Sequence, residues 1–242
     1  MNKLLLIFII FPITIFSQKI QFKDKNFEKA ILERYDINKN GNIDENEYAA
    51  VTIINLKGIE LATYEDVYLF KARKLILGDF PIKNLVLKDH PTLRIIFCDN
   101  CSLTQFEVEN MPYLVSIEIV RNQLKSISIK NSPNIYSLNV SDNMLSEINI
   151  DHLTQLESLY VSNNKLHSLN LQNFPKLRWL SLDGNNIKNL DISKNPELYS
   201  VAAYGNGLSD SNIKKTKDSK VKIELQERKL ESFPPPPPPP AK

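Results

Sequence analysis

The sequence predicts a mainly β solenoid, a stack of short parallel strands, closed at its N-terminal end by a helix–loop–helix cap. Three observations carry that expectation. Apolar residues recur with a period of 21 over most of the 242 residues, and a unit that short cannot bury its own apolar face, so the units must stack. Just before the array, Asp36–Glu47 spaces oxygen-bearing side chains around a central glycine. The residues flanking that stretch carry apolar positions at helical spacing. The predicted order is a leader (1–17), the helix–loop–helix cap (18–50), the repeat array (51–213), a C-terminal cap or strand (214–232) and a polyproline tail (233–242).

Met1–Ser17 has the pattern of a secretory signal peptide. Lys3 forms the basic start, Leu4–Phe11 the apolar stretch, and Ser17 is a small residue before a polar segment. The apolar run from Leu4 to Phe16 is thirteen residues and is interrupted by Pro12, short of the roughly 20 residues that a spanning helix needs. No Cys follows closely enough to take a lipid. The expected address is secreted, periplasmic or cell-surface, with no transmembrane segment in the mature chain.

The cap is built on Asp36-Ile-Asn-Lys-Asn-Gly-Asn-Ile-Asp-Glu-Asn-Glu47. Asp36, Asn38 and Asn40 alternate along a turning backbone, so their oxygens converge. Gly41 permits the bend. Asn42 is placed to offer its carbonyl, Asp44 to bind directly or through water, and Glu47 to close the site with two oxygens. Phe27, Ile31, Leu32 and Tyr35 form a helical stripe before the loop, Ile43 is placed to pin it to a core, and Asp44 can cap a second helix. The segment from Phe27 to Val51 resembles an EF-hand, matching D-x-[DN]-x-[DN]-G-x5-E at every position. That resemblance implies Ca2+ as the cofactor, held by Asp36, Asn38, Asn40, Asn42, Asp44 and Glu47. Only three of those side chains are carboxylates, which places the expected dissociation constant nearer about 10⁻⁴ M than 10⁻⁷ M. Asp191–Pro196 begins in the same way but carries Pro where Gly is needed. The loop is therefore unpaired, which favours a stabilising role over a sensor.

The array starts its units at Leu93, Leu114, Ile135, Leu156, Leu177 and Leu198. Apolar residues follow at offsets 3, 5, 10, 13 and 15, as in Leu159, Val161, Leu166, Leu169 and Leu171. Offset 8 is Asn122, Asn143, Asn164, Asn185 and Asn206, with Cys101 in the unit from Leu93. Offset 19 is Pro in five of the six units ending at Pro91, Pro112, Pro133, Thr154, Pro175 and Pro196. Offsets 3 and 5 alternate as in a strand. The amide at offset 8 must bond the backbone groups left open at the bend. Offsets 13 and 15 predict a second strand-like wall that Pro ends. This pattern resembles the leucine-rich repeat, L-x-x-L-x-L-x-x-N/C-x-L, in a short bacterial class. Looser units from Ala72 and Val51 carry it to the cap without a linker, and Val221–Leu225 alternates as a closing strand should.

Offsets 2, 4, 6 and 7 face away from the core. On that face Ile76, Ile95 and Phe97 form one apolar cluster, and Tyr160, Trp179 and Tyr204 a second, among serines. These residues are the candidate anchors for a protein partner, with a glycan stacked on Tyr160 and Trp179 as an alternative, and a structural envelope component with no specific ligand as another. A formal net charge of +2 gives no nucleic-acid signal. Cys98-Asp-Asn-Cys101 falls at interior offsets, so buried thiols or one local disulfide are expected there rather than redox catalysis. The histidines His90, His152 and His167 are placed on the surface between units. No catalytic constellation stands out, and no enzyme activity is expected. Pro234–Pro240 is a polyproline II tract, read as a spacer, a docking peptide or an unstructured tail, or as the link to a following domain.

Overall fold

In a computed structural model of the chain, residues 20–226 are described; the predicted leader and the polyproline tract lie outside them. Two helices, α1 (Lys25–Tyr35) and α2 (Glu45–Ala50), precede the array. The main sheet takes one strand per turn: β1 Ile53–Asn55, β2 Lys74–Gly78, β4 Ile95–Asp99, β6 Ser116–Glu118, β8 Ser137–Asn139, β9 Ser158–Tyr160, β10 Trp179–Ser181, β12 Ser200–Ala202 and β14 Lys222–Glu224. The opposite wall holds β3 Asn84–Lys88, β5 Gln105–Glu109 and β7 Ser128–Lys130 in one sheet, and β11 Leu190–Asp191 with β13 Ile213–Lys214 in another. Among the described residues no helix is long and apolar enough to cross a membrane.

The period sets the register. Each main-sheet strand pairs in parallel with the one 21 residues on, as in Ile53↔Lys74, Ile95↔Ser116 and Trp179↔Ser200. The closing strand breaks the count by one residue, Ser200↔Lys222, and still completes the nine-stranded sheet. Offsets 3, 5, 10 and 15 are buried from Leu75 to Ile192 apart from the half-buried Ile82, forming one core that runs the length of the stack. The second wall is strand-like, as the alternation at offsets 13 and 15 predicts, but it is interrupted. In the turns that bury Ile150 and Leu171 the chain keeps the inward residues without strand pairing. Their middle residues are Asn149 and Asn170, where the paired turns have Val86, Glu107, Ser128 and Asp191.

The offset-8 amides form a ladder. Asn164 Oδ1 accepts from Leu145 N of the preceding turn (2.9 Å), and its Nδ2 donates to the carbonyls of Val140, Val161 and Ser162 at 3.0–3.2 Å. Asn122, Asn143, Asn185 and Asn206 repeat the arrangement. Where Cys101 replaces Asn, a disulfide to Cys98 spans the same three residues that Asn143 spans by its bond to Val140. Ile82 N, deprived of an amide oxygen, bonds the Cys101 carbonyl at 2.6 Å. The residue before each rung, at offset 7, is left-handed in every turn from Asp79 to Gly205, with φ between 53° and 69°. Asp, Asn and Gly, which take up that conformation at low strain, fill six of these seven positions; only Arg121 departs from that set.

One expectation fails. His152 and His167 are exposed, but His90 is buried completely. Offset 18 is an inward position occupied by His90, Met111, Ser132, Leu153, Phe174 and Asn195, a column whose mixed chemistry hides it from an apolar count. Nδ1 of His90 accepts from Leu93 N (3.2 Å) and Thr92 N (3.4 Å), so the ring is held neutral. Burial pushes its pKa below the ordinary value.

Two outcomes follow. Asn164→Ala leaves one backbone N–H and up to three carbonyls without partners, so equilibrium denaturation should show a loss of about 3 kcal/mol. Because the folded pKa of His90 is depressed, its neutral form contributes stability fully above the unfolded pKa of about 6.5, and that contribution is lost as pH falls through the folded value. His90→Met, which copies Met111, should therefore flatten the fall in melting temperature below pH 6.5.

Candidate functional site

The cap is tied down before its loop begins. Asp24 is the N-cap of α1, accepting from Asn26 N (2.8 Å) and Phe27 N (2.9 Å). Its other oxygen accepts from Ala62 N and Thr63 N of the first turn of the array. Asp66, buried in the 3-10 helix Glu65–Leu69, accepts in return from Lys23 N and Asp24 N. Phe27 and Ile31 of α1 join Val51, Ile54 and Phe70 in the continuous core, and Phe70 sits against Phe22, Phe27 and Tyr48 with ring centroids 5.5–6.4 Å apart. Tyr35 Oη donates to the Ile53 carbonyl (2.5 Å), linking the end of α1 to β1. Neither Asp24 nor Asp66 stands out in the sequence, because each lies outside the helical stripe and outside the repeat.

The loop between the helices follows from its residues. Gly41 takes φ +76° and Lys39 φ +58°. Asp36 accepts from Asn40 N (3.1 Å) through Oδ1 and from Gly41 N (2.8 Å) through Oδ2, while Asn40 Oδ1 accepts from Asn42 N (2.8 Å). Asp44 caps α2, and Glu47 completes a capping box. Glu47 is buried and reaches across the loop: Oε1 accepts from Ile37 N (2.7 Å) and Asn38 N (3.2 Å), Oε2 from Asp44 N (3.1 Å). Asn38 Nδ2 donates to Asp44 Oδ2 at 2.9 Å. Ile43 is buried in the core, as its apolar character predicts.

The donor set can be judged as a cation site. All of its side-chain donors are oxygens, which suits a hard cation, and each carboxylate retains lone pairs beyond the N–H bonds it accepts. Asn38 faces Asp44 through its amide, and a flip of that amide puts its oxygen there instead. Asn42 Oδ1 is buried without a donor. Among the described residues no three His, Cys, Asp or Glu side chains are gathered as a metal-binding group, so Asp36, Asp44 and Glu47 would need the neutral Asn38 and Asn40 between them. The residues fit a calcium loop in donor chemistry, with backbone N–H groups now bonded to the oxygens that would turn toward the ion.

The outer face of the main sheet brings one predicted cluster together and staggers the other. Ile76 stands directly opposite Phe97, with Ile95 two residues before it on the same face. Lys74 Nζ lies 4.6 Å from the Phe97 ring centre. Glu118, the next residue in that row, has its pKa pushed up by burial and by Asp99. Trp179 pairs with Ser158 and Ser200, and Tyr160 with Ser181, so the two rings are diagonal neighbours. Arg178 lies 4.8 Å from the Trp179 ring centre. Tyr204 follows β12 and is 42% exposed. Facing outward does not mean exposed here: Ser137, Ser158, Ser181, Ser200 and Ala202 are buried between larger neighbours. Tyr199, on the rim just before β12, is 66% exposed and lies outside the predicted set because offset 1 shows no apolar pattern.

No protein-family model and no curated relative matches the chain. Among solved structures it is similar to InlP of Listeria monocytogenes, at 20% identity and a TM-score of 0.52, covering 76% of this chain and 65% of that one. The functional domain of InlJ from Listeria monocytogenes, which includes a cysteine ladder, aligns at 15% identity and a TM-score of 0.41, covering 88% and 62%. An internalin, InlF, from Listeria monocytogenes str. 4b F2365 aligns at 14% identity and a TM-score of 0.33, covering 86% and 96%. The chain thus spans less than two thirds of the InlP and InlJ chains. The likeness to InlP shows the fold, a bacterial leucine-rich-repeat solenoid.

Asp24 offers the sharpest test of the cap. Burial raises its pKa, but the four backbone N–H groups outweigh burial and hold it below the usual carboxylate value. Its contribution is therefore full above the unfolded pKa and lost as pH falls through the folded one. Asp24→Ala should cost about 2–4 kcal/mol in denaturant unfolding at neutral pH, through a lost cap and two orphaned donors.

Proposed function

We propose that the chain is an exported interaction protein: the leucine-rich-repeat solenoid presents its main sheet face to a protein partner, and a single EF-hand at its N-terminal end takes Ca2+. The observation that carries the calcium reading is the complete ligand spacing from Asp36 to Glu47 in a loop whose Ile43 is part of the solenoid core. Asp36, Asn38, Asn40, Asp44 and Glu47 would hold the ion by side chains and Asn42 by its carbonyl. The ion's chemistry there is to neutralise three carboxylates and cross-link the two helices. Glu47 already bonds both arms of the loop, so the ion adds to an existing clasp.

Export is supported by the pattern of Met1–Ser17 and by the Cys98–Cys101 disulfide, since such bonds persist in oxidising compartments. Extracellular calcium in the millimolar range would fill a site of about 10⁻⁴ M. The sheet face supports the partner reading: Ile76, Ile95 and Phe97, and Tyr160, Trp179 and Tyr204, are large apolar or aromatic side chains on a face that otherwise carries many serines and charged residues such as Lys74, Glu118 and Asp183. A glycan ligand is the second reading, favoured by the diagonal Trp179–Tyr160 pair among serines.

Titration calorimetry with Ca2+ should give one site near 10⁻⁴ M for the chain and at least about tenfold weaker binding for Glu47→Gln. Absence of heat in the unaltered protein would remove the calcium reading. Pull-down against glycan-array binding, with Trp179→Ala and Tyr160→Ala combined, separates the two ligand classes.

A further inference from the structure

The main sheet carries its charge unevenly. Arg73 and Arg94 stand just before β2 and β4, at offset 1 of neighbouring turns, and Arg94 N donates to the Arg73 carbonyl (2.8 Å), so the two are consecutive rungs of the stack. Arg73 is exposed and Arg94 half-buried, and Lys71 is exposed two residues before Arg73. Among the described residues none of these three side chains has an ion pair. The carboxylates at the far ends of the same strands are taken by other cations, Asp79 by Lys57 at 3.2 Å and Asp99 by Arg121. Ile76 and Ile95, both half-buried, lie on these two strands. We propose that this strand-start patch, Lys71, Arg73 and Arg94 beside Ile76 and Ile95, docks an acidic segment of a protein partner, with its carboxylates on the two guanidinium groups and its apolar side chains on the isoleucines.

The stacking of the two arginines calls for an anionic partner. Neighbouring strands are about 4.8 Å apart, and like charges across them repel, so folding alone does not favour Arg beside Arg. The opposite wall of the protein resolves the same crowding by alternating signs: Lys88 of β3 pairs with Glu107 and Glu109 of β5, and Lys130 of β7 pairs with Glu107. No acid answers Arg73 and Arg94 from the turns on either side, where offset 1 is Thr52 and Val115. The kind of base points to carboxylates. In a chain whose cations are mostly lysine, these positions take arginine, whose planar fork holds a carboxylate by two parallel bonds. Lys74 already lies over the Phe97 ring, so Phe97 is screened and is not counted as an anchor. The isoleucines favour a protein segment over a sulfated glycan or a lipid headgroup, because a protein interface sets apolar side chains beside its polar rim. This inference rests on the sheet-face reading of the proposed function, names the chemistry of its partner and does not involve the calcium site.

Biolayer interferometry on the purified protein tests the patch, with a random glutamate–tyrosine copolymer as the acidic, apolar-bearing probe and polyglutamate, heparin and phosphatidylserine vesicles as comparisons. The copolymer should bind more tightly than polyglutamate and more weakly as salt rises. Its binding should fall at least about tenfold when Arg73→Glu and Arg94→Glu are combined. Reversing two exposed lysines elsewhere, Lys125→Glu with Lys165→Glu, changes the net charge equally and should leave binding within about twofold. Arg94→Glu alone sets unlike charges on neighbouring turns, so its melting temperature should hold or rise while copolymer binding falls; that separates lost docking from lost folding. Failure of the copolymer to bind the unaltered protein would overturn the proposal, and so would equal losses in the arginine and lysine double variants. Heparin or vesicle binding that depends on the two arginines, with none of the copolymer, would overturn it in favour of a different ligand. Each of these failures leaves the sheet-face reading itself testable by pull-down through Trp179 and Tyr160.

Discussion

A coil that turns every 21 residues cannot close its backbone hydrogen bonds within one turn, and the bend after each strand leaves N–H and C=O groups facing the core. One amide per turn answers that constraint. Asn143, Asn164 and Asn185 each accept from the turn before and donate to carbonyls of two turns, so each rung fixes the position of its neighbour. The parallel sheet, the constant register and the continuous Leu and Ile core all follow from keeping those rungs aligned. The Cys98–Cys101 bond occupies the one rung in the stretch from Cys101 to Asn206 that lacks an amide, and it closes the same bend covalently.

Such a stack is strongest in its middle and weakest at its ends, where a turn has one neighbour instead of two. The C-terminal end gains β14, which pairs with β12 although it is one residue out of period. The N-terminal end gains the two helices, and the joint is polar as well as apolar: across it the Asp66 carboxylate accepts from Asp24 N and the Asp24 carboxylate accepts from Ala62 N, while Phe27, Ile31 and Ile43 extend the core. The proposed calcium site adds a modest increment to this joint. At a tenfold excess of free ion over the dissociation constant, binding contributes about 1.4 kcal/mol. That is comparable to one helix cap, which suits a clasp better than a switch.

The architecture was legible because its signals repeat. A period of 21 is counted many times over, offsets 3, 5 and 15 are apolar throughout and offset 8 is Asn from Asn122 to Asn206, so strands, core and ladder could be assigned residue by residue. What escaped was what does not repeat. Asp24 and Asp66 are single contacts between distant segments. Offset 18 changes from His90 to Met111 to Ser132, so its burial left no apolar signature. The second wall is interrupted around Asn149 and Asn170, and the unbroken inward alternation of isoleucines and leucines there gave no sign of it. The sheet face was read correctly for direction, but its serines are buried by their neighbours, and that depends on side-chain sizes two strands away.

The loop at Asp36–Glu47 and the array meet at Tyr35 and Ile53, so an ion that orders the loop should be felt first in the strands nearest to it. Hydrogen exchange of the purified protein, followed with calcium and with chelator, tests that coupling most directly. The account predicts that chelation speeds exchange at amides of β1 and β2 while β8 to β10 keep their protection. Equal protection of β1 and β2 in both conditions would contradict it.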